Sequence, residues 1–398
     1  DPQNGCVTVS GLAKGEGTLR LTALWAGKPV GEKTIAVQDG FFTTQLDLEE
    51  IHLWEAGKGG LYTLLLSLEN DQVSSYFGLR TVAFQGRKFL LNGKPLFQRF
   101  VLDQGFYPDG IYTAPTEEDL IQDITLSFAA GFNGARLHEK VFEPRFLYHC
   151  DRLGYLVWGE FPNWGLDHSH PLATEIVLNQ WSEAVERDCN HPAIIGWCPF
   201  NETWGYHEEK EQNALLSSLY KLTKRLDPTR PCIDASGNFR VLSEVYDIHD
   251  YDQNTETFRQ RWDSFTEKIR ENGGSIPKDD PFFQDLPWGE HGKGPFFQQP
   301  YQGQPIFRSE YGGIRWVENT VEGWGYGNAP TTAEEFFARY KGLTEALLQN
   351  PEIFGFCYTQ LYDIEQEING LYTYDRKEKF PISIIREINQ QKAACEEE

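Results

Sequence analysis

Residues 191–202, His-Pro-Ala-Ile-Ile-Gly-Trp-Cys-Pro-Phe-Asn-Glu, form an apolar run that stops on a polar pair. The run reads as a strand over Ile194–Phe200 that delivers Asn201 and Glu202 to the loop behind it. Working outward, similar runs recur at Phe100–Asp103, Gly134–His138, Leu156–Glu160, Cys232–Ala235, Val245–His249, Pro305–Ser309 and Phe354–Thr359. Helix-like patterns lie between them, at Glu117–Ala130, Pro144–Leu153, Glu211–Leu226 and Ala333–Leu348. Thr116 followed by Asp119 supplies a helix start for the first of these. Eight parallel-strand candidates over roughly 300 residues predict an α/β fold, a (β/α)8 TIM barrel. A doubly wound sheet shares the alternation, but it usually carries a Gly-rich phosphate turn after its first strand. Asp103-Gln104-Gly105-Phe106 is no such turn.

The chain has 398 residues, a length that suggests roughly two or three domains. The barrel is expected to fill 81–398. Residues 1–80 read instead as a small all-β sandwich, with short β-branched and aromatic runs at Val7–Ser10, Thr18–Trp25, Thr34–Val37, Phe41–Leu46 and Leu61–Leu68 separated by turn signals. Phe89–Leu91, Asn92-Gly93 and Lys94–Phe97 spell a hairpin, because Asn-Gly accepts φ > 0. The stretch from Asp252 to Gln304, rich in Gly, Pro and aromatics, reads as a long functional or mobile loop.

Against 36 Lys and Arg stand 59 Asp and Glu, a net charge of −23. Such a surface repels phosphate backbones and anionic lipid heads, so neither nucleic acid nor membrane is an expected partner. Seven cysteines contain no C-x-x-C pair, which suggests neither a zinc knuckle nor a disulfide framework; Cys198 and Cys357, inside apolar runs, are expected to be buried thiols. No apolar stretch approaches the ~18–20 residues that span a bilayer. The opening Asp-Pro-Gln-Asn has no basic or apolar leader, so a signal peptide is expected to be absent or already removed. A soluble protein is expected, with its compartment left open between periplasmic or secreted and cytoplasmic, and its oligomeric state equally open.

Catalytic groups of a TIM barrel project from the C-terminal ends of its strands. Those ends read Arg136-Leu137-His138, Glu160-Phe161-Pro162-Asn163-Trp164, Asn201-Glu202-Thr203-Trp204, His249-Asp250-Tyr251, Glu310-Tyr311-Gly312-Gly313 and Tyr358-Thr359-Gln360. Glu202 and Glu310 close strands on opposite sides of the mouth and are expected to face each other. Two carboxyls so placed, about 5–5.5 Å apart, serve retaining glycoside hydrolysis, one as proton donor and one as nucleophile.

Gly131-Phe132-Asn133-Gly134-Ala135-Arg136, the His191–Glu202 run, and Ser309-Glu310-Tyr311-Gly312 together resemble the barrel of glycoside hydrolase family 2, the β-galactosidase, β-glucuronidase and β-mannosidase family. The resemblance runs from about residue 78 to 375. The N-terminal sandwich resembles that family's immunoglobulin-like linker domain, and the jelly-roll sugar-binding domain that usually precedes it is expected to lie outside this chain. The resemblance implies Glu202 as general acid/base with a raised pKa, Glu310 as ionised nucleophile, and Asn201 as the partner of the sugar 2-OH. Arg136 would keep the nucleophile charged, Tyr251 would place a phenol beside it, and His138 and His249 would bind sugar hydroxyls. Trp164, Trp204 and Trp316 are candidates for stacking on sugar C–H faces, whereas Trp158 and Trp197 read as core.

The implied activity is an exo-acting retaining β-glycosidase on a carbohydrate substrate, galactoside first, with mannoside or glucoside behind. No organic cofactor is required, and a metal ion is left open. The Asn-Lys pair by which β-glucuronidases hold a uronic carboxylate is not found, and Tyr358-Thr359-Gln360 stands where many relatives place a tryptophan. Two other readings compete: a metal hydrolase built on His168-Ser169-His170, and a non-catalytic carbohydrate-binding protein on a degenerate barrel.

Overall fold

Alternate side chains of β2 (Gly17–Trp25) turn inward, with Leu19, Leu21 and Ala23 buried and Arg20 exposed, the period-2 signature of a half-buried strand. In the computed structural model, which describes residues 1–168, 170–203, 209–237, 239–274, 299, 301–316 and 322–396, this strand belongs to a four-stranded antiparallel sheet. The sheet also holds β3 (Lys28–Val37), β5 (Tyr62–Leu68) and β6 (Asp71–Phe77), in the order β3-β2-β5-β6. A second antiparallel pair, β1 (Cys6–Ala13) and β4 (Gly40–Asp47), contributes Val9 and Leu46 to the same apolar core. These strands form the first of two units, Asp1–Thr81 with the segments Leu147–Tyr155 and Asn190–Ala193. Asp151 organises the segments within that unit. Its carboxylate takes the Tyr76 hydroxyl at 2.9 Å, His191 Nδ1 at 2.6 Å and the Ala193 amide at 2.9 Å, while its carbonyl accepts from the Trp54 indole at 2.7 Å.

The second unit comprises Val82–Phe146, Leu156–Cys189 and Ile194–Glu398. It opens with β7 (Val82–Gln85), β8 (Lys88–Leu91) and β9 (Lys94–Pro95), an antiparallel trio. Asn92 (φ +53°) and Gly93 (φ +75°) make the β8–β9 turn, the left-handed pair that a two-residue hairpin loop requires.

The TIM barrel follows. Its strands are β10 (Gln98–Asp103), β11 (Gly134–Leu137), β12 (Leu156–Glu160), β13 (Ile194–Cys198), β14 (Phe200–Asn201), β15 (Ala235–Ser236), β16 (Tyr246–Asp250), β17 (Ile306–Gly312) and β18 (Ile353–Thr359). Seven pair in the order β13-β12-β11-β10-β18-β17-β16, all parallel, and β14 pairs β15 in parallel at the remaining position. Side chains close that position: Asp247 Oδ2 accepts from Ser236 Oγ and from the Gly237 amide, both at 2.8 Å. Strands β11, β12, β13, β16, β17 and β18 are buried throughout, as parallel strands covered on both faces must be. Two glycines are required by packing. A Cβ on Gly196 would sit 2.6 Å from the Trp158 indole, and one on Gly159 the same distance from Trp197. Both tryptophans are buried core, and so are Cys198 and Cys357.

The helices are α1 (Glu117–Ala129), α2 (Pro144–Leu153), α3 (Pro171–Asp188), α4 (Glu209–Leu226), α5 (Thr255–Glu271), α6 (Ala333–Leu348) and α7 (Ile382–Asn389). Thr116 and Asp119 form a reciprocal capping box at the start of α1. Helix α5 corrects the expectation of one long loop over 252–304. Asn254 caps it through bonds from the Glu256 and Thr257 amides at 3.0 and 3.1 Å, and Phe258, Trp262, Phe265 and Ile269 bury one face. Their helical spacing, masked by an aromatic-rich composition, is what makes the segment a helix. Among the described residues, no helix is long and apolar enough to cross a membrane.

Candidate active site

Parallel strands send all their C-terminal ends to one mouth, so residues far apart in sequence meet there. Register brings the first pair together: His249 of β16 lies opposite Glu310 of β17. Glu310 is 3% exposed. Its Oε1 accepts from Arg136 Nη1 at 2.9 Å, and its Oε2 accepts from the Tyr251 hydroxyl and lies 3.4 Å from His249 Nδ1. Burial alone would push this carboxyl up. His249, then Arg136 and His138, with the Tyr251 bond, more than reverse that and hold it down at about 2. Tyr251 is driven well above the ordinary phenol range, first by burial and then by the Glu310 charge, so it stays a donor. Its hydroxyl also meets Thr359 Oγ1 at 3.0 Å, and its ring stacks on Tyr326.

Glu202 follows β14 in a left-handed conformation (φ +44°), uncommon for a side chain of this size, with its amide donating to the Ser236 carbonyl at 2.8 Å. Its Oε1 meets His249 Nδ1 at 2.7 Å, and the imidazole is anchored from behind by Ser236 Oγ at 3.0 Å from Nε2. One oxygen of Glu202, one of Glu310 and a ring nitrogen of His249 all lie within 4.8 Å of one another. Asn201 Oδ1 accepts from Arg136 Nη2 at 3.0 Å, leaving the buried Nδ2 without a partner among the described residues. Asn163 clamps the Asn201 backbone from both sides. Its Oδ1 accepts from the Asn201 amide at 2.7 Å and its Nδ2 donates to the Asn201 carbonyl at 2.9 Å.

Behind these groups, Glu160 takes Arg136 Nε at 2.7 Å; Arg136 foremost, and His138 with it, hold its carboxyl low against burial. His138 Nδ1 lies 3.3 Å from Glu160 and 3.9 Å from Glu310, outside hydrogen-bond geometry. Burial pulls its pKa down, but Glu160 and Glu310 raise it on balance. Glu139 is different. Its Oε2 accepts from the Asn163 and Trp164 amides at 2.7 and 3.0 Å, while Oε1 is buried with no partner among the described residues, and burial pushes the carboxyl up to about 7. A carboxyl whose folded pKa exceeds its ordinary 4.5 favours folding below that value and loses this contribution as pH rises through 7. Glu139→Gln is therefore expected to match the wild-type Tm near pH 5 and to exceed it near pH 8. Parallel Tm curves across that range would count against a buried, protonated Glu139.

Of the residues read from sequence, Glu202, Glu310, Asn201, Arg136, His138, Tyr251 and His249 meet at this mouth. Trp164 is 68% exposed, tethered through its amide to Glu139. Trp316 packs its ring on Phe336 of α6. Trp204 lies outside the described residues. Glu160, Asn163, Ser236, Thr359 and Tyr326 join them without a sequence signal of their own beyond the strand-end positions of Glu160, Asn163 and Thr359.

The His168-x-His170 pair serves other ends. His168 stacks on Phe200, and His170 Nδ1 caps α3 by accepting from the Leu172 amide at 3.2 Å. Glu202, His249 and Glu310 are the one metal-type trio among the described residues. The donor set does not suit a resident dication, because the Arg136 guanidinium already occupies Glu310 and the imidazole nitrogen is committed to Glu202.

Residues 82–313 match the model of glycosyl hydrolases family 2, TIM barrel domain. A β-galactosidase of Thermoanaerobacterium thermosulfurigenes is 27% identical over 224 residues, covering 54% of this chain and 30% of that protein. A β-galactosidase of Vibrio vulnificus (strain CMCP6) is 30% identical over 233 residues, 54% of this chain and 22% of the relative. Among solved structures, a β-galacturonidase of Eisenbergiella tayi bound to galacturonate superposes with a TM-score of 0.74 at 19% identity, covering 98% of this chain and 69% of that one. The chain thus spans less than a third of the length of either of these curated relatives. With the family model covering more than half of its residues, this chain belongs to glycosyl hydrolase family 2 through its TIM barrel domain.

Proposed function

We propose that the chain carries the catalytic centre of a retaining exo-β-glycosidase, with β-galactosides as first substrate and β-mannosides or β-glucosides behind them. The observation that carries the reading is the carboxyl pair, with an oxygen of Glu202 within 4.8 Å of one of Glu310. That spacing suits direct attack, whereas inverting enzymes leave ~6.5–9.5 Å for a water. Glu310, ionised and buried, attacks the anomeric carbon while Glu202 gives its proton to the departing oxygen. Water then cleaves the glycosyl ester, its proton returning to Glu202. His249 orients the Glu202 carboxyl, and the open Nδ2 of Asn201 donates to the sugar 2-OH. Trp164 offers an exposed ring to the aglycone. The first unit, two antiparallel sheets on one core, fits an immunoglobulin-like linker over residues 1–80.

The test is a panel of 4-nitrophenyl β-glycosides followed by NMR of the first-formed sugar, expected to be the β-anomer. Glu202→Ala is expected to lose ~10²–10⁴-fold on substrates with poor leaving groups and far less on dinitrophenyl glycosides. Azide should restore its turnover by trapping a β-glycosyl azide. An α-anomer as first product would overturn the retaining reading.

A further inference from the structure

Beyond the carboxyl pair, the mouth holds a third acidic group that the mechanism does not use. Gln104, just after β10, donates through Nε2 to Gln360 Oε1 at 2.8 Å and to Glu367 Oε2 at 3.3 Å. Gln360 Nε2 donates to Asn369 Oδ1 at 2.9 Å, and Asn369 Nδ2 donates to Glu367 Oε1 at 3.2 Å. The four side chains close a ring, each held by its neighbours. The backbone fixes Glu367 as well: its amide and carbonyl pair with Ile364 at 2.7 and 3.0 Å, and Trp324 pairs with Gln366 and Ile368 on either side.

The ring borders the reacting centre. Gln360 directly follows Thr359, which bonds the Tyr251 hydroxyl that bonds Glu310. Burial, and after it the Glu310 charge, raise the Glu367 carboxyl, while the bonds from Asn369 and Gln104 and the nearby His138 oppose this; Tyr326, stacked on Tyr251, is raised first by burial and then by Glu310, Glu202 and Glu367. Glu367 is thus tied electrostatically to the Glu202–Glu310 pair. Among the described residues, the one Lys or Arg side chain bonded to any of them is Arg136. Its guanidinium is divided among Glu160, Ser309 O, Glu310 and Asn201. Lys140, another nearby ammonium, is held by the carbonyls of Gly105 and Tyr112.

We infer that Glu367, braced by Gln104, Gln360 and Asn369, is a specificity-determining residue that accepts glycone hydroxyls and excludes uronic acids, so that the substrate is a neutral β-hexopyranoside. The inference rests on the glycosidase reading above and narrows it. A hydroxyl can donate to the carboxylate lone pairs that the ring leaves open, whereas a uronate adds a negative charge beside these carboxyls, where among the described residues Arg136 and Lys140 are already engaged and His138 already faces Glu160 and Glu310. Like charges brought together in a desolvated pocket discriminate strongly.

The test compares kcat/KM for the best 4-nitrophenyl β-hexopyranoside of the panel with that for its matched uronide, galactoside against galacturonide or glucoside against glucuronide. Wild type is expected to favour the neutral sugar by ~100-fold or more, and Glu367→Gln to narrow that ratio by at least ~10-fold, its loss on the neutral sugar falling on KM. Thermal melting verifies that the variant is folded, and Glu367→Ala, which removes the carboxylate outright, repeats the comparison should the Gln variant fail to fold. An unchanged ratio in a folded variant overturns the inference while leaving the glycosidase reading standing, and so does a wild type that prefers the uronide. A wild type silent on every glycoside overturns both.

Discussion

Glu310→Gln is expected to abolish turnover, with kcat down by ~10⁴-fold or more and the fold retained, the scale at which loss of a covalent nucleophile registers. The expectation follows from the environment, since a group held at about 2 is ionised at any working pH. Its two oxygens are presented to Arg136 on one side and to Tyr251 on the other, a geometry that an amide oxygen keeps in part but without a charge to attack with. A carboxyl depressed to about 2 from an ordinary 4.5 contributes stability that is full above 4.5 and lost as pH falls toward 2. Wild type and Glu310→Gln should therefore differ in Tm most at neutral pH and converge in acid. Azide should rescue the smaller Glu310→Gly variant as an α-glycosyl azide, the stereochemistry opposite to that expected for Glu202→Ala. Turnover surviving in Glu310→Gln would remove Glu310 from the nucleophile's role.

Much of this centre was legible because barrel topology converts position in sequence into position in space. A polar residue that ends an apolar run must emerge at the mouth, so Asn201, Glu202, His249 and Glu310 could be named without coordinates. What was not legible travels by other routes. Asn163 acts through its side-chain amide on the backbone of Asn201, a cross-strand bond that leaves no periodicity in sequence. Glu139 and Glu367 lie in loops, and a loop glutamate looks solvated until burial is known. Helix α5 is hidden for a third reason: aromatics such as Phe258 and Trp262 suit loops and helix faces alike, and the Gly- and Pro-rich stretch that follows masks their helical spacing. Trp316 shows the reverse error risk, because a tryptophan beyond a strand end can turn back and pack on Phe336.

Arg136→Met is expected to be the most destabilising substitution in the site, by about 3–5 kcal/mol at neutral pH, because it strands buried carboxylates instead of removing a contact. Arg136 is 1% exposed and spans three strands, joining Glu160 of β12, Asn201 of β14 and Glu310 of β17. Glu160 depends on it most: Arg136 is the leading influence holding that carboxyl low, with His138 second. Without the guanidinium, burial would carry Glu160 above its ordinary value, and the linkage changes sign. In wild type the two depressed carboxyls favour folding above pH 4.5 and cost stability only as acid protonates them. In the variant a raised carboxyl would favour folding in acid and lose that contribution as pH rises. Tm of Arg136→Met should thus fall more steeply than that of wild type between about pH 5 and 8. Arg136→Lys keeps the charge but not the planar fork, and should recover part of the stability without restoring the bond to Asn201. Activity separates an electrostatic role from a merely structural one. In the folded fraction of Arg136→Met, the acid limb of kcat/KM should move to higher pH as Glu310 becomes easier to protonate, with kcat down by ~10²–10³-fold. A variant with wild-type Tm and an unmoved acid limb would show that the charge of Glu310 is kept by His249, His138 and Tyr251 without Arg136.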